Sequence, residues 1–301
     1  RVSEVARKLD VKLGLWFAPD RNCLYRNYST QASLLYEYCQ KYGIKQIKLD
    51  GIKLRTKEAE DNFERFMSSL RKRNEEFAFN LDTTGIEDPR AGYFFLQEYG
   101  NIFLENRYTD RANYYPYLTL KNLWDLSRFV PPQKLQIEFL NIDRNQDKYA
   151  PEDILAPRHY SYEYVFAITM FANPLCWFEA SALCEEALDR YSKMIALHKK
   201  YREAIFEGHI LPIGQRPSGY SWAGFQSFIP GCKHGFLIIY REYTPSDSFE
   251  FELFGVKGKR ITLKSLSDST SDIITDLGEK PVVQVKLEKQ NSFQLYQYCF
   301  E

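Results

Sequence analysis

The chain lacks several features that would have assigned it to a class directly. Its 40 Lys and Arg residues balance 40 Asp and Glu residues, so no net charge favours nucleic acid or an anionic membrane. No apolar stretch reaches the roughly 18 residues of a membrane-spanning helix, and the sequence shows no signal peptide. Because the chain begins at Arg1, the compartment stays unassigned. The composition favours a neutral partner over nucleic acid or a membrane.

Metal and disulfide signatures are also missing. The six cysteines have no CxxC spacing and lie mostly in apolar or aromatic surroundings, so we expect buried thiols. They are Cys23, Cys39, Cys176, Cys184, Cys232 and Cys299. The four histidines lack the spacing of metal ligands. We therefore predict no metal site and no cofactor.

Strand-like and helix-like segments alternate through the first two thirds of the chain. The apolar runs predict strands at 13–17, 44–50, 77–81, 101–105, 134–140 and 174–178. Amphipathic segments predict helices at 31–42, 57–74, 90–99, 118–129, 162–172 and 185–206. Strand, crossover helix and strand, repeated without hairpin signals, indicate a parallel sheet.

The number of strand and helix units bears on the type of parallel sheet. A (β/α)8 TIM-type barrel needs about 250 residues, whereas this α/β region has six units and ends near Gly208. We therefore predict such a barrel with its first strand-helix units missing from this chain. A six-unit, open, doubly wound sheet is the alternative, although no Gly-rich phosphate turn follows any predicted strand.

The hydrophobic pattern of the sequence changes near His209. Short alternating or β-branched runs at 235–241, 248–254, 260–266 and 282–287 are separated by Ser, Asp, Gly and Pro, which is typical of an antiparallel sandwich. We predict two domains, an N-terminally incomplete catalytic barrel at 1–208 and a C-terminal β-sandwich at 209–301. The sandwich is expected to pack on the barrel, and a sugar-binding role is the alternative.

Carboxylates stand at or just after the end of every predicted parallel strand. They are Asp20, Asp50, Asp82, Glu105, Asp110, Asp143 and Glu179. In a parallel barrel these strand ends meet at one rim, and Trp16 and Trp177 lie at two of the same ends. Aromatic faces with neighbouring carboxylates suit sugar rings. The alternative is that the tryptophans belong to the barrel core and the acids cap helices.

Lys48 and Asp50 form the most specific pair at this rim. Two residues apart on a strand, they point to the same side, and the lysine would favour the ionised acid. Taken alone, such a pair is more often a solvated surface pair.

Three motifs resemble the α-galactosidase clan of glycoside hydrolases, most closely family 36, with family 27 related. They are Gly-Leu-Trp-Phe-Ala-Pro-Asp at 14–20, Lys-Leu-Asp at 48–50 and Arg-Tyr-Thr-Asp at 107–110. The resemblance implies a retaining mechanism by double displacement, with Asp50 as nucleophile and Asp110 as acid/base. It also implies a carbohydrate substrate. Together with the strand-end pattern, it predicts that the substrate is held by Trp16, Asp20, Lys48, Asp82, Arg107, Trp177 and Glu179.

The chain departs from the clan's pattern close to the proposed nucleophile. Gly51-Ile52-Lys53 replaces the usual Met-Asn-Arg, Asp20 replaces a glutamate, and Arg111 replaces a second acid. The sugar and its linkage therefore stay unassigned. Glu105 is the reserve candidate for the acid.

Two other functions stay open at this point. One is a catalytically silent barrel that only binds glycans, which the changed residues after Asp50 favour. The other is a different barrel enzyme, such as an isomerase or aldolase, that uses Lys48. A homo-oligomer is also left open.

Overall fold

The computed structural model describes residues 1–82, 96–104, 109–176, 178, 182–256, 260–267 and 272–301. The chain divides into two compact units, Arg1–Glu105 and Asn106–Glu301. The domain boundary that we predict at 208/209 stays a prediction.

The first unit alternates helices and strands, as the sequence predicts. Its elements are α1 (Val2–Lys8), β1 (Gly14–Phe17), α2 (Tyr28–Tyr42), β2 (Gln46–Leu49), α3 (Lys57–Arg73), β3 (Ala78–Asp82) and β4 (Gly100–Leu104). The four strands follow one another in chain order, and each neighbouring pair is parallel. Most of the predicted helix 90–99 lies outside the described residues.

Local sequence signals set the helix ends of this unit. α2 ends at Gly43, whose φ of 68° is left-handed and favours glycine. α3 begins after Thr56, whose side chain accepts a hydrogen bond from the Ala59 N–H at 3.2 Å. Acidic residues in its first turn and basic ones in its last complement the helix dipole.

Alternation along the strands gives this sheet two different faces. Ile47, Leu49 and Leu81 are fully buried, in one core with Phe63 and Phe66 of α3. The residues between them in sequence point to the opposite face, because side chains alternate along a strand. Trp16, Lys48 and Asp50, three of the candidate functional residues, lie on that second face.

The second unit begins with a shorter parallel part. Its elements are α4 (Pro116–Leu126), β5 (Leu135–Phe139), α5 (Tyr162–Ala167), β6 (Asn173–Cys176) and α6 (Glu185–Glu207). β5 and β6 pair in parallel. The described residues thus contain six parallel strands, as predicted, which fits an incomplete α/β barrel.

The rest of the second unit is antiparallel. Its strands are β7 (His209–Gly214), β8 (Trp222–Phe228), β9 (His234–Arg241), β10 (Ser248–Glu252), β11 (Arg260–Ser265), β12 (Ile273–Asp276), β13 (Val282–Lys286) and β14 (Ser292–Phe300). Six form a sheet in the order β12-β11-β14-β9-β8-β7, and β10 pairs with β13. Phe251 and Val283 of the small sheet share a core with Leu237 and Tyr296 of the large one. The predicted antiparallel β region is confirmed, with β7, β8, β12 and β14 in addition.

The expectation of buried cysteines is wrong for five of the six, because only Cys39 is buried and Cys232 is half-buried. All six are free thiols, and those with exposed side chains are Cys23, Cys176, Cys184 and Cys299. Cys184 serves as the N-cap of α6, where its Sγ accepts a hydrogen bond from the Ala187 N–H at 3.4 Å. The apolar residues around Cys184 in the sequence predicted a core position and gave no sign that this cysteine caps a helix.

His198 is a buried base that makes stability depend on pH. It lies on α6, is only 6% exposed, and packs edge-on against Phe166 and Phe206. Burial, and then the nearby Arg202, lower its pKa from 6.5 to about 4. Between these values the unfolded chain binds a proton that the folded chain does not, so stability falls as pH drops from 6.5 towards 4. The full effect is about 3 kcal/mol.

Replacing this histidine should remove that part of the pH dependence. Between pH 7 and pH 5 we expect the unfolding free energy of the His198→Leu variant to fall by about 2 kcal/mol less than that of the parent protein. Urea unfolding at the two pH values measures the difference. His209→Gln, at an exposed position, is the control and should behave like the parent. Equal losses in His198→Leu and the parent would show that His198 is not the group responsible.

Candidate active site

Asp50 directly follows β2, and both oxygens of its carboxylate accept hydrogen bonds. The Trp16 Nε1–H donates to Oδ2 at 2.9 Å, and the Gly51 N–H donates to Oδ1 at 2.6 Å. The backbone N–H of Asp50 donates to the Phe17 carbonyl at 3.1 Å, which ties the end of β2 to the end of β1. The carboxylate is therefore held in a fixed orientation.

Gly51 has a structural reason to follow the carboxylate. Its φ of +64° lies in the left-handed region, where a side chain is strained. This conformation accompanies the contact between the Gly51 N–H and Asp50. Glycine at this position thus permits the backbone conformation in which the N–H of residue 51 donates to Asp50.

Trp16 and Lys48 are partners in the register between β1 and β2 and so lie on the same sheet face as Asp50. The next residues in this row are Asn80 on β3 and Asn101 on β4. Trp16 is 59% exposed, so it does not belong to the core. Its ring is available for contact with a ligand.

Lys48 forms an ion pair with a second carboxylate. Its Nζ lies 3.2 Å from Asp82 Oδ2, and the two side chains are 18% and 6% exposed. The same ammonium lies 4.1 Å from the centre of the Phe103 ring, a cation–π contact. The predicted influence of Lys48 on the charge of Asp50 stays a prediction.

Asp20 stabilises the loop that follows β1. Its Oδ1 accepts from the Asn22 N–H at 2.9 Å, and its Oδ2 accepts from the Asn27 amide at 2.7 Å. Its own N–H donates to Gln31 Oε1 at 2.7 Å. A contact between Asp20 and a substrate stays a prediction.

Asp110 lies in the second unit, in a short 3-10 turn, Thr109–Arg111, and its side chain is exposed. Its carbonyl accepts from Lys148 Nζ at 2.6 Å, and Thr109 Oγ1 accepts from the Asn145 amide at 2.9 Å. The turn is thus fixed while the carboxylate stays open to solvent.

Among the predicted site residues, the structure brings Trp16 together with Asp50, and Lys48 together with Asp82. The predicted site residues Arg107, Trp177 and Glu179, and the reserve acid Glu105, lie outside the described residues.

Asp143 is engaged by a tyrosine. The Tyr162 hydroxyl donates to Asp143 Oδ2, and it also lies 3.6 Å from Cys184 Sγ. Burial, followed by these two partners, raises the pKa of Tyr162. Tyr162 therefore stays neutral, and its hydroxyl keeps the proton that it donates in the hydrogen bond to Asp143.

One buried acid was missed by reasoning from strand ends. Glu138 lies within β5 and is fully buried, and its charge contributes, after burial, to the raised pKa of Tyr114. The signal was present, because Gln136 and Glu138 alternate with Ile137 and Phe139 and so mark a polar face of this strand.

Neither a metal site nor a membrane helix is found in the described part of the chain. No group of three or more His, Cys, Asp and Glu residues there could hold a metal ion. None of the helices described is both long and apolar enough to cross a bilayer.

These features define an incomplete parallel α/β barrel with a C-terminal antiparallel β domain. The fold is similar to an α-galactosidase from Lactobacillus brevis (TM-score 0.70, 14% identity, 99% of this chain and 46% of that chain). It is also similar to the galactosidase domain of the α-galactosidase-sucrose kinase AgaSK (TM-score 0.69, 12% identity, 100% and 46%). A third is the GH36 α-galactosidase AgaA of Geobacillus stearothermophilus (TM-score 0.65, 12% identity, 100% and 46%).

The chain spans about half the length of these solved proteins. No protein-family model and no curated protein sequence matches it. At 11–14% identity the likeness establishes the fold alone.

Proposed function

We propose that this chain carries the catalytic centre of a retaining glycoside hydrolase of the α-galactosidase type, related to family 36, which cleaves terminal α-linked sugars. The observation that carries the proposal is the carboxylate of Asp50, which follows a parallel strand and is oriented by Trp16 and Gly51. Catalytic residues of barrel enzymes lie at such strand ends. The similar solved structures, one in complex with 1-deoxygalactonojirimycin and one with raffinose, support a carbohydrate as substrate.

The reaction would proceed in two displacements. In the first, an Asp50 oxygen attacks the anomeric carbon, the bond to the leaving oxygen breaks, and Asp110 gives its proton to that oxygen. In the second, Asp110 removes a proton from water, the water oxygen attacks the anomeric carbon, and the bond to Asp50 breaks. In both steps the groups that gain or lose charge are the carboxylates of Asp50 and Asp110, so the proposed reaction requires no cofactor.

The other residues take supporting roles in this proposal. Trp16 orients Asp50 and offers an exposed ring to the apolar face of the sugar. The Lys48 and Asp82 pair supplies a donor and acceptors for sugar hydroxyls on the same sheet face. Asp20, Arg107, Trp177 and Glu179 remain the further candidates for contact with the substrate.

The hydrolysis of a panel of nitrophenyl glycosides by the protein at its full natural length tests the proposal. We expect release of nitrophenol from an α-glycoside, and the best substrate would also assign the sugar. Absence of hydrolysis across the panel, together with saturable sugar binding, would favour the silent glycan-binding barrel.

Trp16→Phe isolates the hydrogen bond to Asp50, since it keeps an aromatic ring and removes the indole N–H. We expect kcat for the best glycoside to fall roughly 10- to 100-fold because the carboxylate loses its orientation. Trp16 is largely exposed, so the melting temperature should change little. Steady-state kinetics and thermal unfolding give the two readouts, and Trp124→Phe, at a tryptophan of the second unit, is the comparison for kcat. An unchanged kcat in Trp16→Phe would remove this role.

A further inference from the structure

Four tyrosines of the second unit lie in one area, which we call the tyrosine surface: Tyr115, Tyr117, Tyr220 and Tyr243. The ring centres of Tyr115 and Tyr117 are 5.8 Å apart, and those of Tyr220 and Tyr243 are 6.3 Å apart. Leu155 joins the two pairs. Its N–H donates at 3.0 Å to Asp153, the partner of Tyr115, and its side chain lies against Gly219, next to Tyr220.

The tyrosine surface is open to solvent on the side of the second pair. Tyr220 is 51% exposed and Tyr243 is 36% exposed, while Tyr115 and Tyr117 are partly buried. Exposed aromatic rings that gather in one place mark binding surfaces more often than isolated ones do.

A buried carboxylate fixes the loop that carries Tyr220. Glu242 is fully buried, and its Oε2 accepts hydrogen bonds at 2.9 Å from the backbone N–H groups of Ser218, Gly219 and Ser221. The Tyr243 N–H donates to the Gly219 carbonyl at 2.9 Å, which clamps the second tyrosine to the same loop. Because this loop is already ordered, a ligand that binds there would pay little entropy for fixing its backbone.

The polar group beside the rings is a carboxylate. Asp153 Oδ2 accepts from the Tyr115 hydroxyl at 2.9 Å, and Asp153 also interacts electrostatically with Tyr117. Burial, followed by this hydrogen bond, raises the pKa of Tyr115 to about 12, so its phenol stays neutral. The surface therefore offers flat apolar faces, phenol oxygens and a carboxylate acceptor together.

This combination matches a saccharide, whose C–H faces stack on rings and whose hydroxyls donate to carboxylates. A proline-rich peptide would use the rings but brings no hydroxyl donors to Asp153.

We propose that the tyrosine surface is a carbohydrate-binding site in its own right, which holds neutral saccharide chains. It does not depend on Asp50 and would retain the protein on a polysaccharide whether or not hydrolysis occurs. Tyr220 and Tyr243 supply the exposed rings, and Tyr115 and Asp153 supply the polar contacts.

Native gel electrophoresis through gels that contain galactomannan or soluble starch tests this site. The experiment uses the Asp50→Asn variant as the parent, so that the polysaccharide is not consumed. We expect at least one polysaccharide to slow the protein. In the same background, Tyr220→Ala with Tyr243→Ala should weaken the apparent affinity by roughly tenfold or more. Tyr220→Phe should retain most of the binding, because the ring remains.

A matched control comes from the first unit, where Tyr38 is 50% exposed and stacks on Tyr42 at 6.4 Å. Tyr38→Ala should leave retention unchanged, and thermal unfolding checks that all variants are folded. The proposal is overturned if neither polysaccharide slows the protein, or if the double tyrosine variant is slowed as much as its parent. Binding of a proline-rich peptide in place of the polysaccharides would also overturn it. Failure of the glycoside panel with polysaccharide retention intact would leave this site standing and remove only the proposed hydrolysis.

Discussion

Asp50→Asn is expected to lower kcat/KM for the best nitrophenyl glycoside by on the order of 10⁴-fold. The amide is a poor nucleophile, so the first displacement fails. The amide oxygen can still accept one of the two hydrogen bonds from Trp16 and Gly51, and the position is partly open to solvent, so the fold should be preserved. Asp61→Asn is the matched control, since this aspartate of α3 is an exposed partner of Lys57, and its activity should stay within twofold of the parent.

Azide separates the roles of the two acids. With Asp50→Gly, azide would fill the place of the nucleophile and give a glycosyl azide of inverted configuration. With Asp110→Gly, azide would attack the glycosyl-enzyme and give a product of retained configuration. The configuration of the azide product is read by NMR. The opposite assignment of configurations would exchange the two roles, and an Asp110→Gly variant with full activity would return Glu105 to consideration.

Lys48→Met is expected to lower the free energy of unfolding by about 2 kcal/mol. The change removes the cation that lies 3.2 Å from Asp82, a carboxylate with only 6% of its side chain exposed. Without the lysine, the Asp82 carboxylate is a buried charge that has lost a cation, which is costly. Part of this cost is relieved because position 48 is partly open to solvent. Urea unfolding near neutral pH measures the change.

Lys45→Met is the matched control for this prediction, because the ion pair of Lys45 with Glu76 is exposed on both sides. Its loss should cost no more than about 0.5 kcal/mol. Adding Asp82→Leu to Lys48→Met should recover most of the lost stability, since it removes the buried carboxylate that Lys48 faces in the parent protein. If Lys48→Met and Lys45→Met cost the same, the Lys48 and Asp82 pair does not have the buried character that the structure gives it.

Much of the fold could be predicted from the chain because its patterns are local. β2 alternates polar and apolar residues and buries Ile47 and Leu49, and α3 shows both a Thr cap and an amphipathic face. The six parallel strands follow from these signals, since each is separated from the next by a helix or loop long enough for a crossover. The extra strand β14 was missed, although the sequence of Ser292–Phe300 is rich in aromatic residues that favour strands.

The candidate site was predictable only in part. The strand register that pairs Trp16 with Lys48 follows from neighbouring parallel strands, but the indole contact with Asp50 depends on side-chain rotamers. The partner of Lys48 could not be chosen from the sequence, because Asp50 and Asp82 follow adjacent strands. Glu242 directly follows β9, and its burial depends on three backbone N–H groups of a loop some twenty residues away in the sequence.

Covalent labelling tests the central claim most directly, since a nucleophile must form a bond with the sugar. The full-length protein would be treated with a cyclophellitol-type or fluorinated glycoside probe, digested and analysed by mass spectrometry. We predict one adduct on the peptide that carries Asp50, competed away by the best glycoside and absent from Asp50→Asn. An adduct on another carboxylate would contradict the account, as would borohydride trapping of a carbonyl substrate on Lys48 with no labelling of Asp50.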